Sequence, residues 1–133
     1  MRKYEMKALV AEDNEINRHL MRFLLERLGC QVDLVSDGGE ALEVWSPGSH
    51  NLVFVDLEMP VVDGDEVSRQ IRKKEKEAAT LPVPLYILTG HGDERMQQSR
   101  QESGATEILG KPLDIEKLRR LISTVVVGEA VSE

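Results

Sequence analysis

Acidic side chains stand at the ends of two apolar runs in this 133-residue chain. Glu12 and Asp13 follow the run at residues 8–11, and Asp56 follows the run at residues 52–55. Carboxylates that lie close together repel one another unless a cation lies among them, and their oxygens suit hard divalent metals. If the two runs are neighbouring parallel strands, they end at the same edge of a sheet. The sequence therefore predicts a divalent metal site at that edge.

Two further apolar runs end on residues that suit a phosphoryl group. The run at residues 85–88 ends at Thr89 and Gly90, whose hydroxyl and backbone N–H can donate to phosphoryl oxygens. Lys111 follows another run and supplies a compact positive charge. An aspartate carboxylate can accept a phosphoryl group as a mixed anhydride, and phosphoryl transfer depends mainly on positioning and charge neutralisation. Asp56 is therefore the predicted phosphoacceptor, with Thr89 and Lys111 as its catalytic neighbours.

The metal that this arrangement predicts is Mg²⁺. Asp13 and Asp56 would bind it directly, and Glu12 would reach it closely or through water. The backbone carbonyl of Glu58, just past Asp56, would supply a neutral oxygen. Magnesium requires octahedral oxygen coordination and keeps several waters, which suits an open site.

Each of these residues taken alone has a simpler structural explanation. An acidic pair after a strand is commonly a helix cap, and a threonine at a strand end usually has no ligand. Asp56 could be a loop-entry carboxylate, and a Lys-Pro pair carries little information by itself. Found together at four consecutive strand ends, in this order, the residues favour chemistry.

The composition limits the partners and the compartment. The chain is 41% hydrophobic and 31% charged, which is an ordinary globular balance. Its 24 acidic and 17 basic residues give a net charge of −7, which argues against direct binding to nucleic acid. No apolar stretch is long enough for a membrane span, no signal peptide is recognised, and the single Cys30 cannot form an internal disulfide. We expect one cytoplasmic domain over residues 1–133, with no direct contact with a membrane and a core at about residues 7–126.

Short apolar strands alternate with helical segments along the whole chain, which predicts a parallel α/β sheet with helices on both faces. The predicted strands lie at about residues 7–12, 31–36, 52–56, 85–89 and 106–109. In the first helix, after an Asn14 cap and before Gly29, the predicted inward stripe is Ile16, Leu20, Phe23, Leu24 and Leu28.

Four other helices follow from the same pattern. The first of these carries Ala41, Leu42 and Trp45 on its apolar face. The next begins near Asp65 and packs through Val67 and Ile71, and its end at residues 72–77 is predicted to be a solvated face of mixed charge. The helix at residues 93–102 has a narrow apolar stripe, so it is either a peripheral helix or an element that moves with events at Thr89. The last helix opens at Asp114 and is predicted to carry one apolar side, made by Ile115, Leu118, Ile122 and Val125.

Four segments together resemble the receiver domain of two-component response regulators, over about residues 7–126. They are residues 10–18, residues 56–64, residues 88–90 and the pair Lys111-Pro112. The acidic opening, followed by Asn17 and Arg18, is similar to that of receivers in hybrid histidine kinases or phosphorelays.

The resemblance implies a flavodoxin-like, doubly wound sheet with strand order 2-1-3-4-5. It implies Mg²⁺-dependent phosphorylation of Asp56 by a histidine kinase or a histidine phosphotransfer domain, and contacts with other domains of the same polypeptide. The domain would be a signalling switch rather than an enzyme, promoting only its own phosphorylation and slow dephosphorylation. Partner binding would change at the face made by the helix at 93–102, the last strand and the last helix. The resemblance also implies a cis peptide bond before Pro112.

The chain departs from the family pattern at one position. Ile108 stands where family members usually carry an aromatic residue that turns inward when the threonine hydroxyl moves. We therefore expect the helix at 93–102 and its preceding loop to carry the signal. Glu58 and His91, each two residues after a site residue, are predicted to modulate the lifetime of the phosphoryl group.

Three other functions fit parts of the pattern. A phosphate-independent interaction module with the same fold is favoured by Ile108. A metal-dependent phosphohydrolase is conceivable because Glu58 has the spacing of a second acid-base carboxylate, although so short a chain offers no cap domain. A flavin-binding domain is the weakest alternative, because an acidic loop after the first strand would repel the cofactor phosphate.

Overall fold

The computed structural model describes residues 6–90, 102–111 and 113–132, with backbone alone for residues 126–132. The strands are β1 Met6–Ala11, β2 Cys30–Val35, β3 Leu52–Asp56, β4 Leu85–Thr89 and β5 Glu107–Gly110. The helices are α1 Glu15–Arg27, α2 Gly38–Val44, α3 Gly64–Ala78 and α4 Ile115–Ser132. In the described part of the chain, no helix is both long enough and apolar enough to cross a bilayer.

The five strands form one parallel sheet in the order β2-β1-β3-β4-β5, as predicted. Strand boundaries differ from the predicted ones by no more than one residue. The register pairs Ala11 with Val55 and Thr89 with Gly110, so the strands end close to one level. The carboxyl ends of β1, β3, β4 and β5 therefore meet at one edge of the sheet.

The sheet is covered on both faces, which explains why its central strands are apolar throughout. One core layer joins Phe54 and Tyr86 to Leu25 of α1 and to Leu118 and Ile122 of α4. The other layer lies beneath α2 and α3 and contains Val55, Val67, Ile71, Ile87 and Ile108. The rings of Phe54 and Tyr86 stack with their centroids 5.3 Å apart.

The predicted inward stripe of α1 is wrong for three of its five residues. Ile16 is 79% exposed and Phe23 is 57% exposed, and Leu20 is exposed as well. Met21 and Leu25 are buried instead. The apolar surface of α1 is wider than the face that the sheet covers, and the helix is rotated by about one residue from the predicted orientation. Its predicted ends are confirmed, because Asn14 Oδ1 accepts the N–H of Asn17 at 2.9 Å and Gly29 has φ 92°.

The predicted solvated end of α3 is also wrong at two residues. Glu75 is only 4% exposed, because it continues the buried i, i+4 face of Val67 and Ile71. One Glu75 carboxylate oxygen accepts the N–H of Val83 at 2.6 Å, and the other accepts from Arg72 at 2.8 Å. Arg72 Nε also donates to the carbonyl of Gly104 at 2.8 Å. These charged residues therefore join α3 to the two segments that lead into β4 and β5.

Cys30 is buried at the start of β2, and burial raises the pKa of its thiol to about 11. We expect iodoacetamide at pH 8 to alkylate the native protein about 100-fold more slowly than the urea-unfolded chain, because only the thiolate reacts and its fraction falls roughly tenfold per pKa unit. Mass spectrometry gives both rates without ambiguity, since the chain has one cysteine. Equal rates would show that the thiol is accessible and ionised in the folded state.

Candidate functional site

The sheet edge brings together residues that are far apart in the sequence. Glu12 follows β1, and its N–H continues the ladder by donating to Val35 O at 3.1 Å. Asp56 is the last residue of β3. Lys111 follows β5, and its N–H donates to Thr89 O at 2.8 Å. The predicted convergence of these strand ends on one small region is therefore present.

Three carboxylates form an acidic cluster at this edge. One oxygen each from Glu12, Asp13 and Asp56 lies within 4.8 Å of the other two. Glu12 is 2% exposed and Asp56 is 6% exposed, whereas Asp13 faces solvent. A set of oxygen donors from carboxylates fits a hard divalent cation such as Mg²⁺. The acidic cluster could therefore hold a metal ion, as the sequence predicted.

Lys111 is the cation of the site. Its Nζ lies 3.0 Å from Glu12 Oε1 and 3.0 Å from Asp56 Oδ1. Burial opposes the charged form of Lys111, but the hydrogen bonds and charges of Glu12 and Asp56 outweigh this, and its pKa is raised. The ammonium therefore stays protonated and offsets part of the charge of the acidic cluster.

The loop after Asp56 turns back sharply onto the strand end. A Cβ atom on Gly64 would lie 2.6 Å from the carbonyl oxygen of Asp56, so only glycine fits there. Val62 N–H donates to Pro60 O at 2.8 Å around Val61, whose φ is 71°. This three-residue turn is strained for a β-branched residue. This steric role of Gly64 was not predicted from the sequence. Asp63, whose side chain accepts the N–H of Glu66 at 3.0 Å, caps α3 directly before Gly64, so a sharp turn into a capped helix was the signal that could have indicated it.

The remaining predicted site residues differ in their burial, and some of them lie outside the described residues. Thr89 is buried, and Glu58, two residues after Asp56, is exposed. A Cβ on Gly90 would meet no atom of the described residues within 4 Å. Ile108 is buried in the core layer beneath α2 and α3. His91, Pro112 with its predicted cis bond, and most of the helix predicted at 93–102 lie outside the described residues.

An apolar cleft of about 200 Å³ opens beside Lys111, between α1 and the sheet edge. Leu20 and Leu24 of α1 line one side, Leu88 lines the other, and Glu12 and Lys111 form its polar end. The exposed Ile16 and Phe23 extend this apolar surface along α1. The residues of α1 that were wrongly predicted to be buried thus form an exposed apolar stripe next to the acidic cluster.

Comparison with known sequences identifies relatives that are much longer proteins. The chain is 39% identical over 125 residues to the peroxide stress-activated histidine kinase mak3 of Schizosaccharomyces pombe, which covers 92% of this chain and 5% of that protein. It is 34% identical over 120 residues to the aerobic respiration control sensor protein ArcB of Escherichia coli, which covers 88% of this chain and 15% of that protein. The chain therefore spans a small fraction of the length of these relatives.

Solved structures share the whole architecture. The receiver domain of Ssk1 from Saccharomyces cerevisiae, crystallised with the histidine phosphotransfer protein Ypd1, matches with TM-score 0.83 and 28% identity over 92% of this chain and 90% of that chain. The receiver domain of the sensor histidine kinase PA1611 from Pseudomonas aeruginosa has magnesium coordinated in its active-site cleft. It matches with TM-score 0.80 and 27% identity over 92% and 98% of the two chains.

A sequence profile also matches this chain over most of its length. The sequence profile described as response regulator receiver domain matches residues 8–123, a range that contains the acidic cluster and Lys111. The strand order 2-1-3-4-5 agrees with that family. With its sequence and its fold in agreement, the chain belongs to the response regulator receiver domains, the signalling domains of two-component systems.

Proposed function

We propose that this chain is a phosphoacceptor domain that takes a phosphoryl group from a phosphohistidine onto Asp56. The observation that carries the proposal is the position of the Asp56 carboxylate, which is buried at a strand end, close to Glu12 and Asp13 and 3.0 Å from Lys111 Nζ. An oxygen of Asp56 forms a bond to phosphorus while the P–N bond of the donor breaks. The electron pair of the broken bond stays on the imidazole nitrogen.

The side chains around Asp56 have separate tasks in this transfer. Lys111 stabilises the negative charge of the phosphoryl oxygens, and Thr89 and the N–H of Gly90 donate hydrogen bonds to them. Asp13 and Asp56, with Glu12 and the backbone carbonyl of Glu58, would hold Mg²⁺. When bound, the metal neutralises the charge of the acidic cluster and of the phosphoryl group.

The proposed donor is a histidine kinase or a histidine phosphotransfer domain. The exposed apolar stripe of α1, which includes Ile16 and Phe23, supports a protein donor rather than a small one, since contiguous exposed apolar surface is typical of protein contacts. The stripe borders the cleft at Lys111, so a protein bound there would have its phosphohistidine near Asp56. In a longer polypeptide, other domains of that polypeptide are further proposed partners.

Residues that follow Thr89 in the chain are proposed to transmit the effect of phosphorylation to a partner. Phosphorylation would change partner binding at the face made by the helix at 93–102, β5 and α4. Ile108 offers no aromatic ring to this coupling. Glu58 and His91 are proposed to set the lifetime of the phosphoryl group. The chain would work as one receiver domain over residues 1–133, in the cytoplasm.

Incubation with Mg²⁺ and acetyl phosphate tests the proposal, with intact mass and peptide mapping as the readout. We expect the wild type to gain the mass of one phosphoryl group at Asp56, and EDTA to prevent the gain. Asp56→Asn is expected to remain unmodified, whereas the matched control Glu77→Gln, on the exposed end of α3, should be modified like the wild type. Modification that survives in Asp56→Asn would contradict the proposal, and so would a wild type that neither acetyl phosphate nor a phosphorylated histidine phosphotransfer domain modifies.

A second candidate is an interaction module that keeps the fold but signals without phosphate. The buried, aliphatic Ile108 favours it, because its side chain has neither the ring nor the hydroxyl of the aromatic residue that family members usually carry there. Binding to a histidine phosphotransfer domain distinguishes the two candidates. A module of this kind would bind equally well with and without beryllofluoride and would tolerate Asp56→Asn. A phosphorylation switch would change its affinity when Asp56 is modified.

A further inference from the structure

The short loop that carries two carboxylates of the acidic cluster is held by an arginine. Only residues 12–14 separate β1 from α1. Arg18, in α1, returns to this loop, and its Nη1 lies 3.0 Å from the carbonyl oxygen of Glu12 and 3.4 Å from that of Asp13. Two successive peptide groups thus share one guanidinium donor, and the side chains of both residues point into the acidic cluster.

The backbone of Arg18 is itself held in place. Its N–H donates to Asn14 O at 2.9 Å, in the first turn of α1. The Arg18 side chain is half-buried. Hydrogen bonds from Ser36 lower the pKa of Glu40, in the first turn of α2, and the charge of Arg18 makes a smaller contribution to this. The guanidinium therefore reaches the loop from a fixed point on α1.

We propose that Arg18 is a positioning residue for the metal site, which orients the peptide groups of Glu12 and Asp13 so that their carboxylates meet Asp56. The inference rests on the proposed function. Fixing two successive carbonyl groups fixes the directions in which both side chains leave the backbone. Within the described part of the chain, the other hydrogen bonds of this loop involve Glu12 and Asn14. Glu12 N–H donates to Val35 O, Lys111 Nζ lies 3.0 Å from Glu12 Oε1, and Asn14 N–H donates to Glu12 Oε2 at 3.2 Å while Asn14 caps α1.

The charge of Arg18 and its hydrogen bonds to the loop predict opposite effects of its removal on the affinity for Mg²⁺. Arg18 is a cation near a site for a divalent cation, so Coulomb repulsion alone would make Mg²⁺ bind more tightly when the arginine is removed. Loss of the two carbonyl contacts would loosen Asp13 and make Mg²⁺ bind more weakly. Removing a group that orients metal ligands weakens metal affinity by about 10- to 100-fold. Because the lost repulsion offsets part of this, we expect the lower end, about 10-fold.

Isothermal titration of Mg²⁺ into the full chain tests the inference. We expect Arg18→Ala to raise the dissociation constant about 10-fold and Arg18→Lys, which keeps a donor of similar reach, to recover most of the loss. The matched control is Arg22→Ala, one turn further along α1, where the arginine pairs with Glu26 at 3.8 Å. Amide hydrogen exchange in the metal-free protein supplies a second readout, in which Asp13 and Asn14 should exchange faster in Arg18→Ala than in Arg22→Ala.

The outcomes separate this inference from the proposed function. A wild type that does not bind Mg²⁺ would overturn both. Wild-type binding with unchanged or tighter binding in Arg18→Ala would overturn only the role of Arg18. Equal weakening in Arg18→Ala and Arg22→Ala would also overturn it, because the effect would then belong to the helix as a whole. Urea unfolding of each variant confirms that the titrated protein is folded.

Discussion

Lys111→Met is expected to lower the free energy of unfolding by about 3 kcal/mol in the absence of Mg²⁺. Glu12 and Asp56 are both buried, and each would lose an ammonium group 3.0 Å away. Removing one partner of a buried ion pair costs more than the pair contributes, because the remaining charge stays desolvated. The Lys111 side chain is 25% exposed, so the expected cost is at the lower end of the range for buried pairs.

Magnesium is expected to restore part of this stability, since an ion that binds only the folded state stabilises it in proportion to the logarithm of its concentration. Phosphorylation by acetyl phosphate should be about 100-fold slower in the variant, because one stabilising charge of the transition state is missing. Urea unfolding with EDTA and with Mg²⁺, together with the rate of mass gain, measures all three effects. Lys73→Met, on the exposed face of α3, is the matched control and should change none of them.

The pH dependence of the same variant gives an independent test. Burial opposes the charge of Lys111, but its two carboxylate partners raise its pKa above the ordinary value of 10.5. The stability that Lys111 contributes is therefore fully present below about pH 10.5 and is lost as the pH rises through the higher folded value. The difference in stability between wild type and Lys111→Met should be constant at neutral pH and shrink above that point. A difference that grows at alkaline pH would contradict the ion-pair geometry.

Glu75→Ala is expected to lower the free energy of unfolding by about 2–4 kcal/mol. The substitution removes the acceptor of the buried Val83 N–H and the carboxylate that pairs with Arg72. The amide of Val83 would then be buried without its acceptor. Arg72 keeps its bond to Gly104 O, which limits the loss.

Chemical denaturation measures this loss of stability. Two further variants show which contact of Glu75 accounts for it. Glu75→Gln keeps an oxygen acceptor for Val83 and should lose about half as much stability as Glu75→Ala. Glu77→Ala, two residues along the same helix and exposed, should be nearly neutral. If Glu75→Ala and Glu77→Ala were equally mild, Glu75 would be a solvated residue after all, as the sequence alone had predicted.

The sequence by itself determined the sheet and the chemistry of its edge. Four apolar runs end on polar residues, and parallel strands covered by helices can place those ends only together. For this reason the meeting of Glu12 with Asp56 and the approach of Lys111 were predictable from the pattern of the residues. The strand order 2-1-3-4-5 was instead predicted from the resemblance to the receiver family, and the chirality of parallel crossovers limits the alternatives to it.

The tertiary structure determined which residues of each helix are buried and which residues they contact. The apolar stripe of α1 is wide, and only its packing against the sheet determined that Met21 is buried and Phe23 exposed. Glu75 can be buried because its carboxylate accepts the N–H of Val83 and pairs with Arg72, which also donates to the carbonyl of Gly104. Arg18 acts on Glu12 and Asp13 because α1 begins at one particular angle to β1. Periodicity gives the position of a residue around its helix, whereas the segment that covers it comes from elsewhere in the chain.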